Sequence, residues 1–265
     1  MLRRSTDILI RSGRDLAQMR QAGAIVAQTL ASCVDAVAPG VTTGALDALA
    51  HRTFSSMGGE GLFRWYPTYV AGEGFPGHTC ISVNEEIVHG IPGERELVEG
   101  DLITIDCGVR FEGWCADSAV TVGVGALAPD AQGLLDTTRA SLELAIELVR
   151  PGRRWSEVAR RMQRLAVDRG YGIVREFVGH GIGRQLHEPP RVPNYVDSDA
   201  MRDDFVMQPG MTFAIEPMLT LGSPATETLR DRWTVVTRDR KLAAHVEHTI
   251  AVTSAGAEVL TGGRH

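Results

Sequence analysis

The feature that most restricts how this chain can fold is that one order of elements occurs in it twice. Apolar residues recur at helical spacing through Leu16, Met19, Val26, Leu30, Val34 and Val37, and Pro39-Gly40 then stops the run. A second helical pattern carries Leu46, Leu49, Phe54 and Met57, with Thr42 or Thr43 as its cap. The texture then changes to short β-rich runs at 79–83, 102–109 and 119–124. The same succession returns. A helix with Leu142, Ile146 and Val149 stops at Pro151-Gly152, another carries Val158, Met162 and Leu165, and short runs follow at 173–178, 211–219, 233–237 and 249–253.

Local matches mark this as a duplication. Val37-Ala38-Pro39-Gly40 answers to Val149-Arg150-Pro151-Gly152, and the run from Gly100 to Asp106 answers to that from Gly210 to Glu216. Asp117-Ser118-Ala119-Val120-Thr121-Val122 resembles Glu247-His248-Thr249-Ile250-Ala251-Val252. The first two pairs lie roughly 110 residues apart and the third roughly 130, so the last hairpin of the second half is expected to be longer by roughly twenty residues. Helix-rich and strand-rich stretches within each half imply an α+β fold, two half-sheets joined with helices packed on one side.

The repeat also brings acids together. Asp106 follows Leu102-Ile103-Thr104-Ile105 and Glu216 follows Phe213-Ala214-Ile215, each read as ending an apolar strand, while Asp117 and Glu247 are read as opening the next. Taken singly, each is an ordinary solvated strand-end acid. A two-fold relation between the halves would instead gather four carboxylates in the middle. Two unit charges ~4 Å apart repel by roughly 4 kcal/mol at an effective dielectric near 20. Six such pairs would exceed the ~5–15 kcal/mol that stabilises a typical domain. Either several protonate or cations bind, and two divalent ions would cancel the four charges. His180, flanked by glycines in Val178-Gly179-His180-Gly181-Ile182-Gly183, is the natural nitrogen ligand. Such an oxygen-rich set suits Mn, Fe(II) or Co better than a thiolate-bound structural zinc.

Other classes are excluded. A net charge of −6 and a pI near 5.8, with no basic run, argue against nucleic-acid binding. No stretch reaches the ~18 apolar residues of a membrane span, and the opening MLRRSTDILIRSGR has no apolar core for a signal peptide. Cys33, Cys80, Cys107 and Cys115 form no C-x-x-C pair, which suits reduced thiols and a cytoplasmic location. No linker rich in Pro, Gly or Ser divides the 265 residues, so one domain is expected. Gly72-Glu73-Gly74-Phe75-Pro76-Gly77 fits a dinucleotide fingerprint only until Pro76 forbids the helix, and His187-Glu188-Pro189-Pro190-Arg191 fails as a zinc helix for the same reason. His245-Val246-Glu247-His248 has the wrong spacing for an inverted zinc motif.

Together, several stretches resemble the type I methionine aminopeptidases over nearly the whole chain. They are the run from Cys80 to Pro92, Ile105-Asp106-Cys107-Gly108, the run from Gly113 to Ser118, Gly179 to Arg184, Pro209 to Met218, and Val246-Glu247-His248-Thr249-Ile250. The resemblance implies the "pita-bread" fold over residues 1–265 as one catalytic domain, with 1–12 a short N-terminal segment. It implies that Asp106, Asp117, His180, Glu216 and Glu247 hold two divalent ions (Co, Mn, Fe or Zn), with Asp117 and Glu247 between them. It further implies that His89 and His187 contact the substrate, that Glu216 shuttles a proton, and that Phe75, Cys80, Leu186 and Trp233 enclose the substrate side chain. The implied activity is removal of the initiator methionine from nascent proteins whose second residue is small, in the cytoplasm, with transient ribosome association as a further expectation. The chain departs from the pattern at Leu186 and Gly72, where aromatic residues are usual, and in the segment from Leu62 to Tyr69. These departures motivate an alternative, an aminopeptidase of altered preference for the first residue.

Overall fold

Ser12 begins the first helix, α1 (Gly13–Asp35), with a capping box: its side chain accepts the Asp15 N–H while the Asp15 carboxylate accepts the Ser12 N–H. Helix α2 (Thr43–Ser56) is capped by Thr42, whose side chain accepts the Ala45 N–H. In the second half, α3 (Pro129–Leu148) places Pro129 in its first turn, where the missing N–H costs nothing, and α4 (Trp155–Asp168) follows. The structure, a computed structural model, describes residues 7–67 and 74–263.

The duplication is written in the backbone. Gly40 and Gly152 adopt φ of +86° and +83°, and Gly100 and Gly210 both adopt +90°, a left-handed region open to glycine at little cost. Their hydrogen bonds match as well. Gly40 N–H donates to Leu97 at 2.8 Å and Gly152 N–H to Met207 at 2.9 Å, while Leu97 and Met207 donate back to Val41 and Arg153, each at 2.9 Å.

Among the described residues a nine-stranded antiparallel sheet joins the halves. Its order is Glu60–Gly61, Leu102–Phe111, Trp114–Gly123, Glu247–Val252, Thr212–Ile215, Gly179–Gly181 and Glu188–Val192, with Cys80–Val83 also on Leu102–Phe111 and Ala257–Val259 also on Glu247–Val252. Alternation divides its faces. Ile103, Ile105, Cys107 and Val109 pack with Val26, Leu30 and Leu46 of α1 and α2. Phe213, Ile215 and Ile250 pack with Leu142, Trp155 and Met162 of α3 and α4. The extra length of the second half forms four short strands between Glu216 and Glu247: Met218–Thr220, Thr226–Thr228, Val235–Thr237 and Ala243–His245.

Several boundaries differ from the sequence reading. The strand expected at 119–124 begins at Trp114, and the one expected at 102–109 runs on to Phe111, because the two form a single tight hairpin turning at Glu112-Gly113. Asp106 and Asp117 therefore lie within strands and not at their ends. The run 211–219 breaks at Glu216-Pro217, since Pro217 has no N–H to give a ladder. The run 173–178 keeps only Gly172–Ile173 as strand, and His180 sits inside its own short strand, Gly179–Gly181.

Candidate metal centre

Register alone places the acids on one face. Asp106 pairs with Ala119, and Asp117 with Gly108, so the two carboxylates are diagonal neighbours on the same side of the hairpin. Across the join Glu247 pairs with the same Ala119. His248 pairs with Ile215, and continuing that ladder by one residue sets Glu216 opposite Glu247. The face opposite the helices thus collects two acids from each half.

His180 reaches this face from the next strand. Its Nδ1–H donates to the Gly181 carbonyl at 3.0 Å, which turns Nε2 toward the acids, 3.3 Å from Asp117 Oδ2 and 3.7 Å from Glu216 Oε1. The flanking glycines serve the strand more than the ligand: a Cβ on Gly179 would meet the Ala214 carbonyl at 2.4 Å, and one on Gly181 the Pro189 carbonyl at 2.1 Å. Asp117 is itself held from the other half. Thr249 Oγ1 accepts its N–H at 3.1 Å and donates to its Oδ1 at 2.8 Å.

The electrostatics are those of an incomplete charge balance. Burial pushes the Asp106 carboxyl well above the usual range, and repulsion by Asp117 and Glu216 adds to it. Glu247 is raised in the same way, by burial and then by Asp117, Glu216 and Asp106. Burial opposes charge on His180, but Asp117 and Glu216 outweigh it and push the imidazole up to about 9. Asp106 Oδ1 is buried without a hydrogen-bond partner among the described residues. Single ligand atoms of Asp117, His180 and Glu247 all lie within 4.8 Å of one another. Orphaned and mutually repelling oxygen donors, beside an imidazole whose proton a cation could displace, fit divalent cations.

Above them opens a cavity of about 370 Å³, and its walls include all eleven side chains singled out from the sequence. Phe75 and Trp233 meet edge to face at 5.2 Å, beside Cys80 and Leu186, as one apolar corner. His89 stands against Phe177, and burial lowers it to about 4. His187 has an exposed surface at the cavity mouth but packs edge to face on His180 at 4.2 Å, and desolvation by the surrounding wall, then His180, lowers it to about 4. Both rings are neutral near pH 7. Gly72 and Tyr69 lie outside the described residues.

Two of the cavity residues that the sequence did not single out bear directly on the site. His245 is buried, both its ring nitrogens lack a hydrogen-bond partner among the described residues, and Nε2 lies 3.5 Å from Glu216 Oε2. It comes to the cavity because Ala243–His245 pairs with Met218–Thr220. Its alternation within that strand could have signalled an inward side chain. The other is Tyr66, whose hydroxyl lies 2.7 Å from His187 Nδ1. No local signal marks that contact.

Carboxylates that repel one another unless cations lie between them, at the floor of a cavity, place this fold among the metal-dependent hydrolases. Comparison with known proteins narrows the class. Residues 17–254 match metallopeptidase family M24. Methionine aminopeptidase 1 of Bacillus subtilis is 42% identical over 254 residues, which span 96% of this chain and 99% of that protein. A crystal structure of methionine aminopeptidase from Thermotoga maritima superposes with a TM-score of 0.90 at 37% identity, covering 96% of this chain and 99% of that one. Prolidase from Pyrococcus furiosus, at 20% identity and a TM-score of 0.77 over 97% of this chain and 66% of its own, shares the fold. The chain belongs to metallopeptidase family M24, and within it to the methionine aminopeptidases.

Proposed function

We propose that the chain removes the N-terminal methionine from newly made proteins and peptides whose second residue is small. The observation that carries this reading is that the acidic face and the apolar corner of Phe75, Cys80 and Trp233 open into the same cavity. One end of a peptide can then meet ligands and side-chain pocket together, which suits cleavage of a single terminal residue.

Asp106, Asp117, His180, Glu216 and Glu247 would hold two divalent ions. When bound, such ions acidify a water and polarise the peptide carbonyl. The Glu216 carboxylate would take up the proton of the attacking water and pass it to the leaving amine. His187, neutral and on the cavity wall, donates to the oxygen that gains charge as the carbonyl becomes tetrahedral. His89, also neutral, orients the scissile amide. Phe75, Cys80, Leu186 and Trp233 enclose the thioether, a polarisable group suited to aromatic and sulfur contacts.

The working unit comprises both halves, since each supplies two of the acids. No helix among the described residues is long and apolar enough to cross a membrane. We place the enzyme in the cytoplasm, where new chains are made, with transient ribosome contact as the setting of the encounter.

Leu186 favours one second reading. It lines the cavity where an aromatic residue is usual, so the pocket is softer on that side and a different first residue could fit better. A panel of X-Ala-Ser peptides, assayed with Mn, Co, Fe(II) and Zn, decides between the two. Methionine as the best first residue supports the main reading, and any other optimum replaces it with the second.

A further inference from the structure

The segment that departs from the family pattern, around Trp65 and Tyr66, has a contact of its own in the cavity. Tyr66 Oη lies 2.7 Å from His187 Nδ1, and the two rings meet at 82° with centroids 5.5 Å apart. The backbone fixes the phenol there. Trp65 N–H donates to Phe75 at 2.8 Å, Phe75 N–H donates to Tyr66 at 3.1 Å, and Tyr66 N–H donates to Phe63 at 2.8 Å. Pro67 bridges Gly74, where an added Cβ would stand 2.6 Å from Trp65 Cα, so the two segments touch backbone to backbone. Trp65 adopts φ +64° to make the crossing, a conformation unfavourable for any side chain but glycine's.

A neutral imidazole has one N–H and one lone-pair nitrogen, and the partner of one nitrogen decides the other. A phenol is the stronger acid of the two partners, and an imidazole nitrogen the better acceptor, so at this distance the hydroxyl donates. We propose that Tyr66 is a positioning residue for His187: its hydroxyl donates to Nδ1, fixes the ring proton on Nε2, and holds that N–H as the donor met by the carbonyl oxygen of the scissile bond. This rests on the role given above to His187. The paired segments would thus tie two functions together, with Phe75 on one lining the side-chain pocket and Tyr66 on the other setting the oxyanion donor.

The test uses the full chain loaded with zinc. Nitrogen-15 spectra of the histidine rings should show His187 as the Nε2–H tautomer in wild type and as a mixture in Tyr66→Phe, which keeps the ring and removes only the hydroxyl. On a Met-Ala-Ser peptide Tyr66→Phe should lower kcat about tenfold while KM stays within about twofold. In a His187→Ala background the same change should have no further effect. An Nδ1–H tautomer in wild type, or an equal loss of kcat in both backgrounds, overturns the proposal. Should His187→Ala leave turnover intact, the role of His187 in the proposed function fails, and the tautomer comparison then decides alone: an unchanged spectrum in Tyr66→Phe overturns the positioning role and a shifted one supports it.

Discussion

Thr249, in the second half of the chain, holds Asp117, in the first: its hydroxyl accepts the Asp117 N–H at 3.1 Å and donates to Asp117 Oδ1 at 2.8 Å. The pair lies on the two strands that join the half-sheets, so one side chain both closes the seam and orients a ligand. Outer partners of this kind typically contribute 10–100-fold to metal affinity. Thr249→Val keeps the shape and removes the hydroxyl. It should weaken Mn binding about tenfold in calorimetric titration and cost about 1–2 kcal/mol in urea unfolding.

Glu216 is buried, with an imidazole near each carboxylate oxygen: His180 Nε2 at 3.7 Å from Oε1 and His245 Nε2 at 3.5 Å from Oε2. Glu216→Gln keeps the volume and removes the charge. Hydrolysis of Met-Ala-Ser should fall by about a thousandfold or more, while the circular dichroism spectrum stays as it is. Full turnover in the variant would refute the proton-carrying role.

Gly181 stands where the His180 strand crosses its neighbour, with the Pro189 carbonyl only 2.1 Å from the place a Cβ would take. A backbone neighbour cannot swing aside as a side chain can. Gly181→Ala should cost about 1–3 kcal/mol of stability and reduce metal affinity, because His180 must shift with its strand. Wild-type melting and metal titration curves in this variant would show that the crossing tolerates displacement.

Removing the metals should loosen the fold. Asp106 and Glu247 are raised by burial first and then by neighbouring carboxylates, a load that bound cations relieve. Dialysis against a chelator should lower the melting temperature, and Mn or Co should restore it. Ligand at a hundred times its dissociation constant adds about 2.7 kcal/mol per site. A melting temperature indifferent to chelator and metal would contradict the assignment of these acids as ligands.

The pH dependence of the metal-free protein should show His89. Its ring is lowered to about 4 from an ordinary 6.5, chiefly by burial. Between those values the unfolded chain takes up a proton that the folded chain refuses, so stability is full above 6.5 and declines as pH falls towards 4. The part due to His89 is on the order of 2 kcal/mol, discounted because the ring still meets cavity water. His89→Gln should flatten that slope in urea titrations at pH 7.5, 6 and 5.

The sequence showed the fold through its repeat because both signals involved are local. Pro39-Gly40 and Pro151-Gly152 stop helices by backbone chemistry, and Gly100 and Gly210 turn through φ +90°. The four acids were visible because each sits at a corresponding place in the two halves. Their position along the strands was not. Whether Asp106 ends a strand or lies within one depends on its partner, and Trp114-Cys115-Ala116 does not announce that it pairs with Val109-Arg110-Phe111. His245 was passed over as part of a failed zinc motif, because its meaning comes from the strand at Met218–Thr220 and not from the residues beside it. Tyr66 and His187 are 121 positions apart, and no periodicity connects a rim tyrosine to a particular imidazole.

At the join, Ala119 is the pairing partner of Asp106 on one strand and of Glu247 on the other. A small side chain at that crossing leaves open the space towards which the acids of both halves converge. Neither half owns an enzyme: a lone hairpin offers two acids and no opposing wall. Activity is thus a property of the seam, and damage that lets the halves part by even a small amount would silence the protein while most of its helices and strands remained standing.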